Sequence, residues 1–534
     1  MSAAPRTVGR YVAETLAANG IETVFGIPGV HNIELYRGLG STRLRHVLAR
    51  HEQNAAFGAD GYARATGRPA AVFVISGPGV TNALTALAQA HSDSVPLLLI
   101  ASTPQRATLG RHWGVLHELA DQRALVAAVT PAARHAQRAA EVRDHLRAAF
   151  AALRAPRPRP AYVDIPLDLL AEPTALEPEA FASAAAAAPP AAGGALAQAL
   201  ALIEQAQRPL VIAGGGARAA SAALRALVEA LDAYLVTTVA GKGLLPEAHP
   251  ANLGASLPYR QTRELVAAAD LVIAVGTELS ETDIYTTTRL PIPGTLIRID
   301  VDPPRLADQY AAQIQLQADA GEALQALLRG VHARRGWRSR AGTAAAHRER
   351  LEASFDARAR GRAALVRAIR AAVPADGAVF SDMTQAAYTG NYAFAADRPG
   401  AWFHPCGYGT LGYALPAAVG AKVAQPERAI VALAGDFGVQ FTLPELLTAV
   451  ELGLNLPLVV WNNGALAQIR DDMQAAGIAP LGVTARNPDF VALGSACGAA
   501  AMRARGPAAL ADGIRRALAA RVPTLLEVLD TDFA

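Results

Sequence analysis

The stretch from Ala429 to Asn463 leaves the chain little choice of fold, because it reads as a single strand–helix–strand unit. The apolar run Ala429 to Ala434 has the pattern of a buried strand and ends in Gly435-Asp436-Phe437-Gly438. A helix follows, with Thr442 and Glu445 spaced as a capping box and Gly453 placed to stop it. The second strand, Leu456 to Trp461, opens into Asn462-Asn463. A right-handed crossover lays two such strands side by side and parallel. Asp436 and Asn463, 27 positions apart, then emerge at one carboxyl edge, where open α/β sheets bind ligands. A carboxylate, an amide oxygen and a nearby backbone carbonyl make the hard-oxygen set that Mg²⁺ accepts beside phosphate oxygens. The small Gly438 lets backbone N–H groups approach a diphosphate. Either half alone reads as a turn or a strand end; the pair points to a metal–diphosphate site.

The rest of the 534-residue chain repeats the alternation of apolar runs and helical patterns, and its length calls for two to four domains. Two linker-like stretches, Ala171 to Gly194 and about Ala333 to Arg362, divide it into blocks expected at 1–172, 193–332 and 362–534. The first block opens with a helix from Thr7, apolar at Val8, Tyr11, Val12 and Leu16, that stops at Gly20. Strands are expected at Thr23 to Phe25, Ala71 to Ile75 and Pro96 to Ser102, at Pro209 to Ala213 and Leu271 to Val275, and at Ala378 to Phe380. The similar blocks suggest duplication, although no sequence repeat is legible.

Composition excludes several classes. Apolar residues make up 52%, inflated by alanine, and no uninterrupted apolar stretch reaches the roughly 18 residues of a membrane span. The formal charge of +3 gives no reason to expect nucleic acid, and the basic run Arg334-Arg335-Gly336-Trp337-Arg338 reads as a solvated linker face. Cys406 and Cys497 are too few for a disulfide framework, and Met1 to Thr7 lacks a signal core, so a cytoplasmic protein is expected.

The Gly435-Asp436…Asn462-Asn463 pattern resembles the thiamine diphosphate (ThDP) motif of the acetolactate synthase, pyruvate decarboxylase and benzoylformate decarboxylase superfamily, and the likeness covers essentially the whole chain. It implies three doubly wound parallel-sheet α/β domains: pyrimidine-binding, central and diphosphate-binding. It makes Asp436 and Asn463 side-chain ligands of Mg²⁺, gives Ala465 a carbonyl ligand, and sets Phe437, Gly438 and Leu466 against the cofactor. His51-Glu52-Gln53-Asn54, followed by Ala59-Asp60-Gly61-Tyr62-Ala63-Arg64 and by Ile75-Ser76-Gly77-Pro78-Gly79, resembles the pyrimidine-binding half. Glu52 would hydrogen-bond the aminopyrimidine ring and favour its imino form, with burial keeping a proton available near neutral pH. Read without the resemblance, Glu52 is a surface acid in a first helical turn. Gly407 to Gly412 resembles the segment that bends the cofactor, with Leu411 as wedge and the backbone of Gly409 and Leu411 on the ring; Pro28 and Gln385 are further contacts. The resemblance also implies a homodimer or homotetramer, with Glu52 of one subunit facing the third block of another.

Within the superfamily, Phe25-Gly26-Ile27-Pro28-Gly29-Val30-His31-Asn32, Leu116-His117-Glu118-Leu119, Asp121-Gln122-Arg123, Gly276-Thr277-Glu278 and Asn487-Pro488-Asp489-Phe490 resemble 5-guanidino-2-oxopentanoate (2-ketoarginine) decarboxylases. The reaction expected is non-oxidative decarboxylation of a 2-oxo acid, the enamine left by CO₂ loss being protonated to an aldehyde. His117 is the preferred acid/base, with His31, Val30 and Gln468 on the substrate side. A guanidinium tail needs an acid, and Glu118, Asp121, Asp471 and Asp472 are available. Gln468 stands where these relatives carry a glutamate, which sets the 2-ketoarginine reading at odds with one residue.

Three alternatives remain at this point. An acetolactate-synthase-like carboligase would join the enamine to a second carbonyl compound. Glu278-Leu279-Ser280-Glu281-Thr282 replaces the Arg-Phe-Asp-Asp-Arg run of FAD-holding synthases, so FAD is not expected. A nicotinamide-binding protein would use Gly214-Gly215-Gly216 with Asp232. A non-catalytic relative is opposed by the intact Glu52, Asp436 and Asn463.

Overall fold

The computed structural model describes residues 5–182, 193–285, 289–332, 341–484 and 486–533. Part of the alanine-rich first linker and the basic run at 334–338 lie outside them. Three sheets emerge, and every strand pair in them is parallel.

The first sheet holds β1 (Thr23–Gly26), β2 (Arg45–Leu48), β3 (Ala70–Val74), β4 (Leu97–Thr103), β5 (Ala133–His135) and β6 (Ala161–Pro166) in the order β2-β1-β3-β4-β6-β5. The central sheet holds β7 (Pro209–Ala213), β8 (Tyr234–Thr237), β9 (Leu271–Val275), β10 (Thr295–Asp300) and β11 (Ile314–Gln317) in the order β11-β10-β9-β7-β8. The third holds β12 (Ala378–Ser381), β13 (Trp402–Phe403), β14 (Ile430–Gly435), β15 (Pro457–Asn462), β16 (Ala500–Arg503) and β17 (Thr524–Leu529) in the order β13-β12-β14-β15-β17-β16. Counted from its own first strand, the third order is that of the first. The duplication that no sequence repeat reveals is therefore written in the topology.

Each central strand buries both faces, as parallel sheets covered by helices on two sides require. On β3, Val72 and Val74 join one apolar core while Ala71 and Phe73 join another; on β14, Ala432 and Ala434 part in the same way from Val431 and Leu433. One of these cores is common to the first and third domains. At its centre the helix Glu52–Thr66 crosses the helix Ala414–Ala424 so closely that a Cβ on Gly61 would lie 2.0 Å from the Ala417 carbonyl oxygen, and one on Gly420 would lie 1.8 Å from that of Gly58. These glycines are held by proximity, not by a special φ.

Two local expectations are corrected. The predicted capping box after Asp436 does not form. Pro444 splits the helix into Asp436–Thr442 and Glu445–Glu451. The Thr442 hydroxyl donates to the Gly412 carbonyl, and the Glu445 carboxylate accepts from Arg50 N–H, so both side chains serve contacts outside their helices. The second linker is helical where described, over Ala341–Ala353 and from Ala357 to Ala372, and the boundary expected at 362 falls inside that last helix. No described helix is long and apolar enough to cross a membrane.

Candidate active site

The register of the third sheet sets Gly435 beside Trp461, which brings the ends of β14 and β15 together as the crossover argument requires. Asp436 is 2% exposed, and its Oδ2 accepts from Gly464 N–H at 2.9 Å and from Asn487 Nδ2 at 2.6 Å. Asn462 Oδ1 accepts from the same two groups, at 3.2 and 2.9 Å. Asn463 Oδ1 accepts from Ala465 N–H at 3.1 Å, and the loop is fastened further by Leu466 N–H donating to the Val483 carbonyl. Burial lifts the Asp436 carboxyl above its usual range, against the pull of the Asn487 and Gly464 donors. Gly438 faces Asp382: a Cβ there would meet Asp382 Oδ2 at 2.8 Å. Phe437 is half-buried beside it.

Asp382, at the end of β12, is fully buried and is itself pushed up to about 6 by burial. It accepts from Met383 N–H and Gly412 N–H. Gly412, at φ +87°, is thereby held from its N–H by Asp382 and from its carbonyl by Thr442. Gly409 also lies in the left-handed region, at φ +71°, and Leu411 between them is half-buried. The two glycines let the segment turn where a side chain would strain it.

Gln385 begins the helix Gln385–Ala393, and its Nε2 donates to Gln468 Oε1 at 3.3 Å and Asp471 Oδ2 at 3.2 Å. Gln468 Nε2 in turn donates to Asp472 at 3.0 Å. Two glutamines and two acids thus gather at one mouth. The other candidate acids are engaged locally: Glu118 accepts from His112 and Gly114 N–H groups, and Asp121 caps the helix Gln122–Ala127.

In the first domain Glu52 is the first residue of its helix, and its half-buried carboxylate accepts from Asn82 Nδ2 at 2.9 Å. The turn holding the exposed Pro28 is stapled by Asn32, which accepts from Gly29 N–H and donates to the Ile27 carbonyl. His31 Nδ1 lies 2.5 Å from Ser76 Oγ, and the His31 and His117 rings meet edge to face at 4.7 Å. His117 adopts φ +64°, unusual for a non-glycine residue, and its buried Nδ1 has no hydrogen-bond partner among the described residues. Burial first, and His117 second, depress the His31 imidazole below its ordinary value. Val30 stands beside them at 68% exposure.

Sequence reasoning gives Asn487 and Thr442 no such part, and places Asp382 only within the strand-end loop Ser381 to Gln385, where Gln385 is preferred. Asn487 was visible only as part of a matching run, and its contact with Asp436 depends on the loop after β15 folding back. Among the described residues no three His, Cys, Asp or Glu side chains cluster as a metal site. The oxygens gathered here are mostly neutral amides and carbonyls around one carboxylate. That is a poor cage for a bare cation but a fitting one for Mg²⁺ that brings phosphate oxygens with it.

A cavity of about 420 Å³ opens elsewhere, between the central sheet at Gly214, Gly276 and Asp300 and the other two domains at Asp93 and His404. Its glycines serve packing, since a Cβ on Gly214 would lie 2.4 Å from the Gly276 carbonyl oxygen.

Family models agree with this division of the chain. The N-terminal TPP binding domain of thiamine pyrophosphate enzymes matches residues 6–125, the central domain 196–327 and the C-terminal TPP binding domain 382–528. The chain is 49% identical over 528 residues to the probable 2-ketoarginine decarboxylase of Pseudomonas aeruginosa, covering 98% of this chain and 94% of that one. It is 31% identical over 478 residues to the acetolactate synthase isozyme 1 large subunit of Escherichia coli, covering 87% and 83%. A strand-end Asp–Asn pair, a helix-start glutamate and three parallel sheets in this order, matched along the whole chain, make it a member of the thiamine pyrophosphate enzyme family.

Proposed function

We propose that the protein decarboxylates a 2-oxo acid with a cationic tail, releasing CO₂ and an aldehyde, with ThDP and Mg²⁺ bound. The observation that carries this reading is the cluster of Gln385, Gln468, Asp471 and Asp472 at the mouth of the third sheet, in a chain 49% identical to a probable 2-ketoarginine decarboxylase. Asp436 and Asn463 hold Mg²⁺ with the Ala465 carbonyl, Phe437, Gly438 and Leu466 line the diphosphate, and Gly409, Leu411, Gln385 and Pro28 meet the rest of the cofactor. When bound, ThDP supplies the nucleophilic carbon and the electron sink for CO₂ loss.

The chain's own residues do the remainder. Glu52 holds a proton at the aminopyrimidine ring. His117, whose Nδ1 is without a partner among the described residues, delivers a proton to the carbon that has lost CO₂, and Ser76 orients His31 beside it. Asp472, tied among the described residues only to Gln468 and not to an arginine, takes the guanidinium of 5-guanidino-2-oxopentanoate, while Asp471 is shared with Arg470. This arrangement gives the site two acids next to Gln468, so the missing glutamate at that position does not count against a cationic substrate.

The active form is a homodimer or homotetramer with Glu52 facing a neighbour's third domain. Both half-sites carry exposed apolar side chains that such a neighbour would cover: Val30, Trp113 and Leu116 on one, Tyr408, Phe441 and Leu481 on the other. FAD plays no part in the proposal. Domain limits of 1–172, 193–332 and 362–534, the last moved back to Ala357 so that its helix is whole, and a cytoplasmic location complete it.

Product analysis by mass spectrometry tests the reaction, with 5-guanidino-2-oxopentanoate, pyruvate and 2-oxoisovalerate supplied together with ThDP and Mg²⁺. The guanidino aldehyde with one CO₂ is expected. An acyloin from pyruvate as the main product would establish the carboligase instead.

A further inference from the structure

The run Ala59-Asp60-Gly61-Tyr62-Ala63-Arg64 carries part of the family likeness, yet neither Asp60 nor Arg64 has a place in the chemistry above. Both are buried: the Asp60 side chain is 0% exposed and that of Arg64 8%. Arg64 Nε donates to Asp60 Oδ1 at 2.6 Å, and Arg64 Nη2 donates to Asp93 Oδ2 at 2.7 Å. One arginine thus holds two acids of the first domain, with Gln89 donating to Asp93 as well.

Each acid then reaches into the third domain. Asp60 Oδ1 accepts from the Tyr413 hydroxyl at 2.6 Å, and Asp93 Oδ1 accepts from Gly407 N–H at 2.7 Å. Gly407 and Tyr413 are the two ends of the segment that contains Gly409, Leu411 and Gly412. The Arg64 guanidinium lies over the Tyr413 ring, 5.4 Å from its centroid, and the Phe57 ring meets Tyr413 edge-on at the same distance. From its own domain the segment is gripped at Gly412 by Asp382 and Thr442. It is therefore suspended between two domains, Gly407 and Tyr413 held by one and Gly412 by the other.

A buried charge set is a weak source of stability, because desolvation consumes most of the attraction, but it fixes relative position well when every member is hydrogen-bonded. Here the members have partners on both sides of the interface. We propose that Asp60, Arg64 and Asp93 are positioning residues, which set the Gly407–Tyr413 segment of the third domain so that Leu411 and Gly409 meet the ThDP ring system. This rests on the ThDP reading of the site.

The test separates the two ends of the cofactor. Calorimetry on the cofactor-free full-length protein, saturated with Mg²⁺, compares binding of ThDP with binding of inorganic diphosphate, which lacks the rings. In Tyr413→Phe, ThDP affinity is expected to fall about tenfold, as for one lost hydrogen bond to a charged acceptor, while diphosphate affinity stays unchanged. Asp93→Asn keeps an acceptor oxygen for Gly407 and removes the acceptor that Arg64 and Gln89 share, so a loss in the same direction is expected, and it serves if Tyr413→Phe is not recovered folded. Thr448→Val is the control: it removes a first-to-third-domain hydrogen bond, from Thr448 Oγ1 to the Leu48 carbonyl, that does not touch the segment, and neither affinity should move. Equal loss of both ligands in Tyr413→Phe, or unchanged ThDP affinity in both variants, overturns the proposal. Wild-type protein that binds diphosphate but not ThDP overturns the reading beneath it instead.

Discussion

The ends of β3 and β14 occupy the same place in two sheets of identical strand order, and only one of them is equipped for a diphosphate. After β14 comes Asp436, and the helix it opens begins on residues that all carry an N–H, the Asp436 carboxylate itself accepting from Phe437. After β3 comes Ile75-Ser76-Gly77-Pro78. There Gly77 sits at φ +61°, its N–H is taken by Gln122 Oε1 at 2.8 Å, and Pro78 at the start of the helix has no N–H to offer. Gln122 is held in turn by the Ser102 carbonyl and the Tyr162 hydroxyl, so the closure is built into the core of the first domain. On the proposed reading two copies of one architecture divide the work: the third domain would take the anion and the metal at its strand end, while the first closes the equivalent spot and would use the neighbouring helix start, at Glu52, for an acid.

The division of labour predicts opposite signatures for the two acids. Glu52→Gln is expected to lower kcat about 10²- to 10⁴-fold, the usual range for a lost general acid or base, with Mg²⁺–diphosphate affinity unchanged. Asp436→Ala should abolish that affinity in the same calorimetric titration. Equal effects of the two substitutions on diphosphate binding would break the comparison.

A second contrast lies in titration. The His404 imidazole, in the core of the third domain, is pushed down to about 3 by burial and then by Arg64. The folded state keeps it neutral, so its contribution is complete above the ordinary histidine value of 6.5 and is lost as pH falls from there toward 3. Asp382 and Asp283, each raised to about 6 by burial, act in the opposite sense over part of this window, and comparison at equal pH cancels them. Relative to wild type, His404→Gln should gain about 1.4 kcal/mol per pH unit between 6.5 and 4, measured by urea unfolding. A parallel pair of stability curves would show that His404 is not the acid-sensitive group.

Smaller effects sharpen the symmetry itself. Gly420→Ala forces a methyl against the Gly58 carbonyl and should cost about 1–3 kcal/mol, seen as a lower Tm. Gln122→Ala should cost about 1–2 kcal/mol by leaving Gly77 N–H without its partner and Tyr162 with Asp164 alone, and should create no diphosphate binding in the first domain, because Pro78 still supplies no donor.

Much of this was readable in the chain. Pro209–Ala213 and Leu271–Val275 appear as strands with the limits expected, and other edges move by a residue or so, because an apolar run marks the buried part of a strand while hydrogen bonding decides its ends. The helix from Val8, capped by Thr7, was equally plain. That the ends of β14 and β15 lie side by side followed from crossover handedness alone. Thr442 and Glu445 misled, since a capping box is a local pattern and both side chains found partners far along the chain, at Gly412 and Arg50. The parts played by Asn487 and Asp382 and the pairing of His31 with His117 were out of reach for the same reason: each depends on loops from separate strands meeting at one edge. The matching strand orders were hidden because topology survives sequence divergence that erases any repeat.

The glycine crossing between Glu52–Thr66 and Ala414–Ala424 has an evolutionary corollary. Once two sister domains share one interior and touch backbone to backbone, neither is a free module any longer. Severed at the linkers and expressed apart, each would present the other's half of the core to water, and would be expected to precipitate or to wait for its sibling. Rearrangements of such a gene are constrained to move the outer domains as a pair.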